Sequence, residues 1–389
     1  MHYLYRIVKK KVAERKKNIF KNRWTRDRIG FIIKSEDAVE RPDHNLAFML
    51  QYENIAWYED GAVRILDRRC YPRTVSFVTC KTHGEVAQAI RDMVTQSAGP
   101  YPAAAMGMAL AAYECRNESE ERQRAFLTAA ADRISSARPT TAKRMARVCE
   151  TMLEAADAAW KSGEPVDLAI RRRAIEANDS RYRKIGKIAA YLVDRFPDNG
   201  TILTQCFAET IVGMMLRESR ARGKTLRIFC PETRPYFQGA RLTATVCYEM
   251  GFDVTVITDN MPAFVMQREH VDVFTSAADA ITMDGHVVNK VGTFQIAIAA
   301  KHLGVPYYVT GVPDTVHPKI GDVQIEFRNP AFVLEAMGVR TARDGVKGYY
   351  PAFDITPPEL VTGVVTDRGI LSPYRLNEYG AKDAYEVVV

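Results

Sequence analysis

The chain has 389 residues, 47% hydrophobic and 26% charged, with a formal net charge of +7. That is the balance of a globular protein of two or three domains, which excludes collagen-like, disordered and disulfide-scaffold classes. No window reaches the roughly 18 apolar residues of a membrane span, charges interrupt every apolar run before Asn45, and seven scattered cysteines without a CxxC pair read as reduced thiols in a cytoplasmic protein.

Residues 1–30 hold eleven lysines and arginines against Glu14 and Asp27, so the tail carries the basicity and the remainder is close to neutral. Such a tail suits nucleic acid, an anionic membrane or an acidic protein face. Leu4, Val8 and Val12 favour instead a solvated helix that lays one apolar stripe on its own subunit, and no function is placed there.

Short strands are expected at 55–57, 63–66 and 75–78, the first two joined by a hairpin turn at Asp60-Gly61. Thr82 can cap a helix from Val86 to Met93, with Glu85 in the capping-box position. Ala103 to Tyr113 is almost all Ala, Gly and Met, which suits close helix packing. Arg138-Pro139-Thr140 opens a further helix in which Met145, Val148, Met152, Ala155 and Ala159 recur at three and four residues, until Gly163 and Pro165 stop it. A helix from Val166 to Phe196 follows, with room for a break at Asn178-Asp179.

After Pro197 the pattern changes. Strand-like runs at 202–204, 226–229, 254–257, 271–274 and 307–309 alternate with helices at 207–222, 237–250, 262–268 and 291–303. Repeated β–α units predict an α/β fold. The expected organisation is a basic extension (1–30), an N-terminal domain of short strands plus helices (31–195), and a doubly wound, Rossmann-like parallel sheet (196–389). No GxGxxG or P-loop sequence follows a strand, which disfavours the usual dinucleotide and nucleoside triphosphate sites.

In such a sheet ligands sit beyond the carboxyl ends of the strands. There the sequence places Gln205-Cys206, Glu232-Thr233-Arg234, Asp259-Asn260 and Asp279, which together predict a polar small-molecule site. Cys206 falls at the first turn of helix 207–222, where the helix dipole favours a thiolate; a buried, inert cysteine is the competing reading. Asp279, among small apolar residues, is expected to have a raised pKa suited to proton transfer, and a helix N-cap role is compatible with that. Lys290 and the N–H groups at the start of helix 291–303 can hold a phosphate, and Arg138 is a second candidate cation. Each of these cations has a surface-charge alternative. The seven histidines show no ligand spacing, and a metal is not expected.

Several strings occur in order: Ile202-Leu-Thr-Gln-Cys206, Glu232-Thr-Arg-Pro-Tyr-Phe-Gln-Gly-Ala-Arg-Leu-Thr-Ala244, Ile257-Thr-Asp-Asn-Met261, Ala278-Asp279, Asn289-Lys-Val-Gly-Thr293 and Pro351-Ala-Phe-Asp-Ile-Thr-Pro357. This set resembles the methylthioribose-1-phosphate isomerases, in the superfamily with ribose-1,5-bisphosphate isomerase and the initiation-factor guanine exchange regulatory subunits. Asp60 to Arg69 and Val86 to Met93 resemble that isomerase's N-terminal strands and helix, so the likeness runs from about Glu53 to Gly369.

The resemblance implies isomerisation of an aldose 1-phosphate to a ketose 1-phosphate, with methylthioribose 1-phosphate the leading substrate. It implies no cofactor and a homodimer, with neither nucleic acid nor membrane as a partner. It places the catalytic pair on Cys206 and Asp279, and phosphate and sugar contacts on Arg138, Gln238, Asn289 and Lys290. The chain also departs from the pattern. Gln96-Ser-Ala-Gly-Pro100 stands where these isomerases carry an arginine–glycine–alanine phosphate loop. Gln205 replaces the usual histidine, Phe207 an asparagine, and Tyr350 another asparagine. The short Cys206–Glu232 interval is closer to the bisphosphate branch. The alternatives are therefore 5-deoxyribose 1-phosphate or ribose 1,5-bisphosphate as substrate, or a non-catalytic subunit that senses a sugar phosphate or nucleotide.

Overall fold

A computed structural model describes residues 41–138, 142–315 and 317–379. The basic tail and its apolar stripe lie outside the described residues, as do Pro139 and Thr140. The first described sheet is the predicted hairpin and its neighbour: β1 (Ala56–Glu59), β2 (Ala62–Leu66) and β3 (Phe77–Cys80), all antiparallel. Asp60 and Gly61 both take positive φ, 48° and 74°, as a two-residue turn that follows the strand twist requires.

Helices then stack on this sheet: α1 (His83–Arg91), α2 (Pro100–Glu114), α3 (Glu120–Ser135), α4 (Ala142–Ser162) and α5 (Val166–Val193). Thr82 Oγ1 accepts from the N–H of Glu85 at 3.2 Å, but the Glu85 carboxylate reaches the N–H of Lys81, so only half of the capping box forms. In α2 nearly every side chain is buried, and a Cβ on Gly107 would lie 2.9 Å from Val86 Cγ1; glycine there lets α1 approach. The sequence reading misses α3, and α5 runs through Asn178-Asp179 without a break.

The second half is a seven-stranded sheet. Its strands are β4 (Asn199–Leu203), β5 (Thr225–Pro231), β6 (Asp253–Ile257), β7 (Val273–Ala277), β10 (Tyr307–Thr310), β14 (Gly363–Thr366) and β15 (Gly369–Leu371), in the order β15-β14-β10-β7-β4-β5-β6. All neighbours are parallel except β15. Period-two alternation sends adjacent residues to opposite faces. Ile202, Ile228, Val273 and Val365 join a core with α5, α6 (Thr210–Ala221) and α7 (Ala244–Glu249). Leu203, Phe229, Phe274 and Val364 join another with α8 (Pro262–Arg268) and α9 (Thr293–His302). A parallel sheet covered on both faces is what the alternating β–α pattern demanded.

A small antiparallel sheet follows β7: β8 (Ala280–Ile281) and β9 (Val287–Lys290), with β13 (Phe353–Thr356) returning from far along the chain. Between β10 and β13 lies a hairpin, β11 (Glu335–Ala336) and β12 (Val339–Arg340). The sequence reading contains none of these.

Candidate active site

The six parallel strands occur in chain order outward from β4 on one side and from β7 on the other. The order therefore reverses between β4 and β7, which is where a crevice opens in sheets of this kind. Cys206 leaves the carboxyl end of β4 and Asp279 that of β7, two strands paired through Ile202–Val273 and Leu203–Phe274. The two expected reactive groups thus flank one crevice.

Cys206 is not in a helix, contrary to the sequence expectation. The helix begins at Thr210, and Cys206 sits in the preceding loop with φ 58°. Without the dipole to favour a thiolate, burial decides: the thiol is pushed up to about 11, with Lys290 pulling the other way. The Thr243 hydroxyl donates to the Cys206 carbonyl and Gln205 Nε2 donates to the Val291 carbonyl at 3.4 Å, which fixes the loop.

Asp279 lies in dense protein but keeps a face open to solvent. The protein around it raises its carboxyl above the ordinary aspartate value, as expected from its neighbours; Lys290, Arg138, Arg144 and Arg328 pull it down, and water on its open face works against the rise as well. Arg144 Nη2 also donates to the Asp279 carbonyl at 3.2 Å. Lys290 is buried at the end of β9, where its Nζ donates to the Ala352 carbonyl at 3.0 Å and lies 4.5 Å from the Phe353 ring centre. Burial lowers its pKa, while Cys206 and Asp279 favour its charge.

Asn289 is buried beside it and donates to Thr293 Oγ1 at 3.0 Å. The start of α9 is not free for a phosphate. Asp354 Oδ2 already accepts from the N–H groups of Gly292 (2.6 Å) and Phe294 (3.2 Å). Asp354 thus takes two of the backbone donors that the expected helix-start anion site would use. Gln238 and Gln205 are both buried, and the Oε1 of each lacks a partner among the described residues. Buried amide oxygens of that kind call for a donor from water or a ligand. Arg138 lies just before α4 and shares the field of Arg328, Glu326 and Asp279, burial lowering its pKa.

Sequence reasoning missed Arg328, Glu326, Arg144 and Tyr236. Arg328 is only 10% exposed, donates through Nε to Glu326 Oε1 at 2.7 Å, and acts on Cys206, Asp279 and Lys290. It comes from a loop without periodicity, so no local pattern marks it. Conversely, Glu232 and Arg234, which the sequence places at the same rim, form no ion pair with each other among the described residues. Arg234 Nη2 donates to the Glu335 carbonyl at 2.6 Å, and Asp259 accepts from the N–H groups of Thr233 and Arg234. Those groups build the rim rather than the cationic cluster. A cavity behind Cys206, lined by Ile211, Met215, Thr243 and Ser276, measures about 20 Å³. It has room for about one water, so a larger ligand does not fit there.

The sequence model of the initiation factor 2 subunit family matches residues 98–373. The chain belongs to the initiation factor 2 subunit family. Within it, the chain is 38% identical over 332 residues to a methylthioribose-1-phosphate isomerase of Chloroflexus aurantiacus, covering 82% of this chain and 94% of that one. A methylthioribose-1-phosphate isomerase of Desulforudis audaxviator is 36% identical, again over 82% and 94%. Among solved structures of the family, a 5-methylthioribose 1-phosphate isomerase from Pyrococcus horikoshii superposes with a TM-score of 0.73 at 29% identity, covering 86% of this chain and 99% of that one. The translation initiation factor eIF-2B, subunit delta, from A. fulgidus superposes at 0.72 with 31% identity, covering 85% and 98%.

Proposed function

We propose that this protein is an aldose–ketose isomerase that converts methylthioribose 1-phosphate to methylthioribulose 1-phosphate. The observation that carries the reading is the pairing of Cys206 with Asp279 across the β4–β7 crevice, beside Lys290, Arg138 and Arg328. The named relatives support it. A sugar phosphorylated at C1 has no free aldehyde, so the ring must open before hydrogen moves from C2 to C1. Asp279 gives a proton to the ring oxygen as the C1–O bond breaks, and recovers one from the C2 hydroxyl as the ketone forms. In a proton-transfer route the Cys206 thiolate, its charge matched by Lys290, takes the C2 hydrogen as a proton and returns it to C1; in a hydride route that hydrogen moves directly from C2 to C1 and the neutral thiol shapes the crevice. Either way both groups end as they began. Lys290, Arg138, Asn289 and Gln238 bind phosphate and sugar hydroxyls, and Arg328 supplies the charge absent at Gln96.

The test is to incubate purified protein with methylthioribose 1-phosphate, 5-deoxyribose 1-phosphate and ribose 1,5-bisphosphate, and to follow ketose formation. Turnover fastest on the first supports the proposal, and faster turnover on another moves the substrate. The match to the A. fulgidus subunit favours one further reading, a non-catalytic sugar-phosphate or nucleotide sensor. Tight binding without turnover would select it.

We also propose that the enzyme is a homodimer working in the cytoplasm. Strand β6 is a sheet edge, and Tyr248, Val256 and Phe264 beside it are exposed. A second copy covering this face predicts a dimer in sedimentation that Val256→Lys weakens.

A further inference from the structure

We propose that Glu209 is a positioning residue for this reaction: paired with Arg68, it clamps the loop carrying Cys206 against the loop that carries Gln96. This rests on the reading of Cys206 as the reacting thiol. Arg68 follows β2 and Glu209 immediately precedes α6, so residues 141 apart in sequence meet in the interior. Their side chains are 0% and 1% exposed, with Arg68 Nη2 2.7 Å from Glu209 Oε1. Each partner reaches further. Arg68 Nη1 donates to the Gln96 carbonyl at 2.7 Å, and the N–H of Ala98 donates to the second Glu209 oxygen at 2.6 Å. Ser97 Oγ donates to the Phe207 carbonyl at 3.0 Å. The two loops are therefore joined directly by Ser97 to Phe207 and Ala98 to Glu209, and through Arg68 by Gln96 to Glu209.

Stability alone asks for neither half of this arrangement. Glu209 holds φ 54° and ψ −114°, a backbone region open to glycine and strained for a glutamate. A buried ion pair is also commonly replaceable by apolar side chains without loss. What the pair does accomplish is geometric. Cys206, three residues before Glu209, is itself at φ 58°, and the clamp holds the end of a loop whose Cys206 carbonyl is held by Thr243. The Gln96 loop runs straight into α2, whose Tyr101 interacts with Arg144 and Arg138. One carboxylate thus sets the thiol wall and the cation wall of the crevice relative to each other.

The test uses the double variant Arg68→Met/Glu209→Gly, which removes the buried charge and the backbone strain together, and Ser97→Ala, an exposed change that leaves the ion pair intact. For each, kcat, KM, thermal midpoint and the iodoacetamide alkylation rate of the Cys206 peptide are measured. The double variant is expected to fold with a midpoint near that of the parent, to lose kcat by about 10–100-fold with KM little changed, as expected of sub-ångström misplacement, and to alkylate Cys206 several-fold faster. Ser97→Ala should move kcat and alkylation in the same directions by less. Parent-like kcat and alkylation in the folded double variant would overturn the proposal, as would parent-like values for Ser97→Ala should the double variant not fold. Alkylation reads the loop even if none of the three sugar phosphates is turned over, so failure of the clamp and failure of the assigned reaction are told apart.

Discussion

Asp354 occupies the N-terminus of α9 at Gly292, through a 2.6 Å bond from that residue's N–H to the carboxylate. Two N–H donors would ordinarily hold a carboxylate low, yet burial wins and Asp354 is raised to about 6. An acid whose folded pKa exceeds its unfolded one stabilises the fold when protonated, and loses that contribution as pH rises from about 4 through 6. Asp354→Asn keeps an acceptor and removes the charge. The variant should therefore gain stability relative to the parent between pH 4 and 7.5, by on the order of 2–3 kcal/mol. Urea midpoints at both pH values measure this, and a pH-independent difference would contradict it.

Cys206 and Asp279 flank one crevice and should act as a unit. Cys206→Ser exchanges a thiol that burial has pushed up to about 11 for a hydroxyl that gives up its proton still less readily, and Asp279→Asn removes the transferable proton. Each should lower kcat by at least ~100-fold, the lower range for general acid–base groups, and the double variant should be little worse than either. Near-normal turnover by Cys206→Ser would make the cysteine structural.

Burial pushes the Cys206 thiol up to about 11. Its alkylation rate should rise about tenfold per pH unit through pH 9 and 10 and level only near 11, because only the thiolate reacts. A plateau below pH 9 would mean that nearby cations outweigh burial.

Gln96 is buried, and its carbonyl already receives Arg68. Introducing Gln96→Arg would set a second guanidinium against the first in a space without solvent. The variant should lose about 1–3 kcal/mol of stability, as overpacked sites do, and bind substrate more weakly. A lower KM would show that an arginine here finds the substrate instead.

Removing residues 1–28 should leave turnover near that of the full chain, since no sequence feature links the tail to the crevice. A large fall in kcat in a folded truncation would place the tail at the site.

The alternating pattern after Pro197 made the parallel sheet legible, because buried parallel strands are near-continuous apolar runs. From that sheet, Cys206 and Asp279 could be placed on one rim. Helix α3 was missed because its buried stripe is only Leu127, Ala130, Ala131 and Ile134 on a heavily charged surface. Strand β9 hid for another reason. A lysine reads as solvent-facing until β13 and its neighbours close around it, and those arrive more than sixty residues later. Arg328 and Glu326 belong to the same class of long-range contact. The Cys206 environment turned on a shift of three residues in where a helix begins, which is within the ordinary error of boundaries read from sequence.

The unbroken α5 has a mechanical consequence. At 28 residues it is about 42 Å long. Its Ile170 and Ala174 belong to the core beneath the small sheet, while Tyr182, Ile188, Leu192 and Val193 belong to the core of the large one. A single rod rooted in both cores leaves no hinge between them, so access to the crevice has to come from its loops. Melting should accordingly run as one cooperative event, with near-ultraviolet and far-ultraviolet signals lost together.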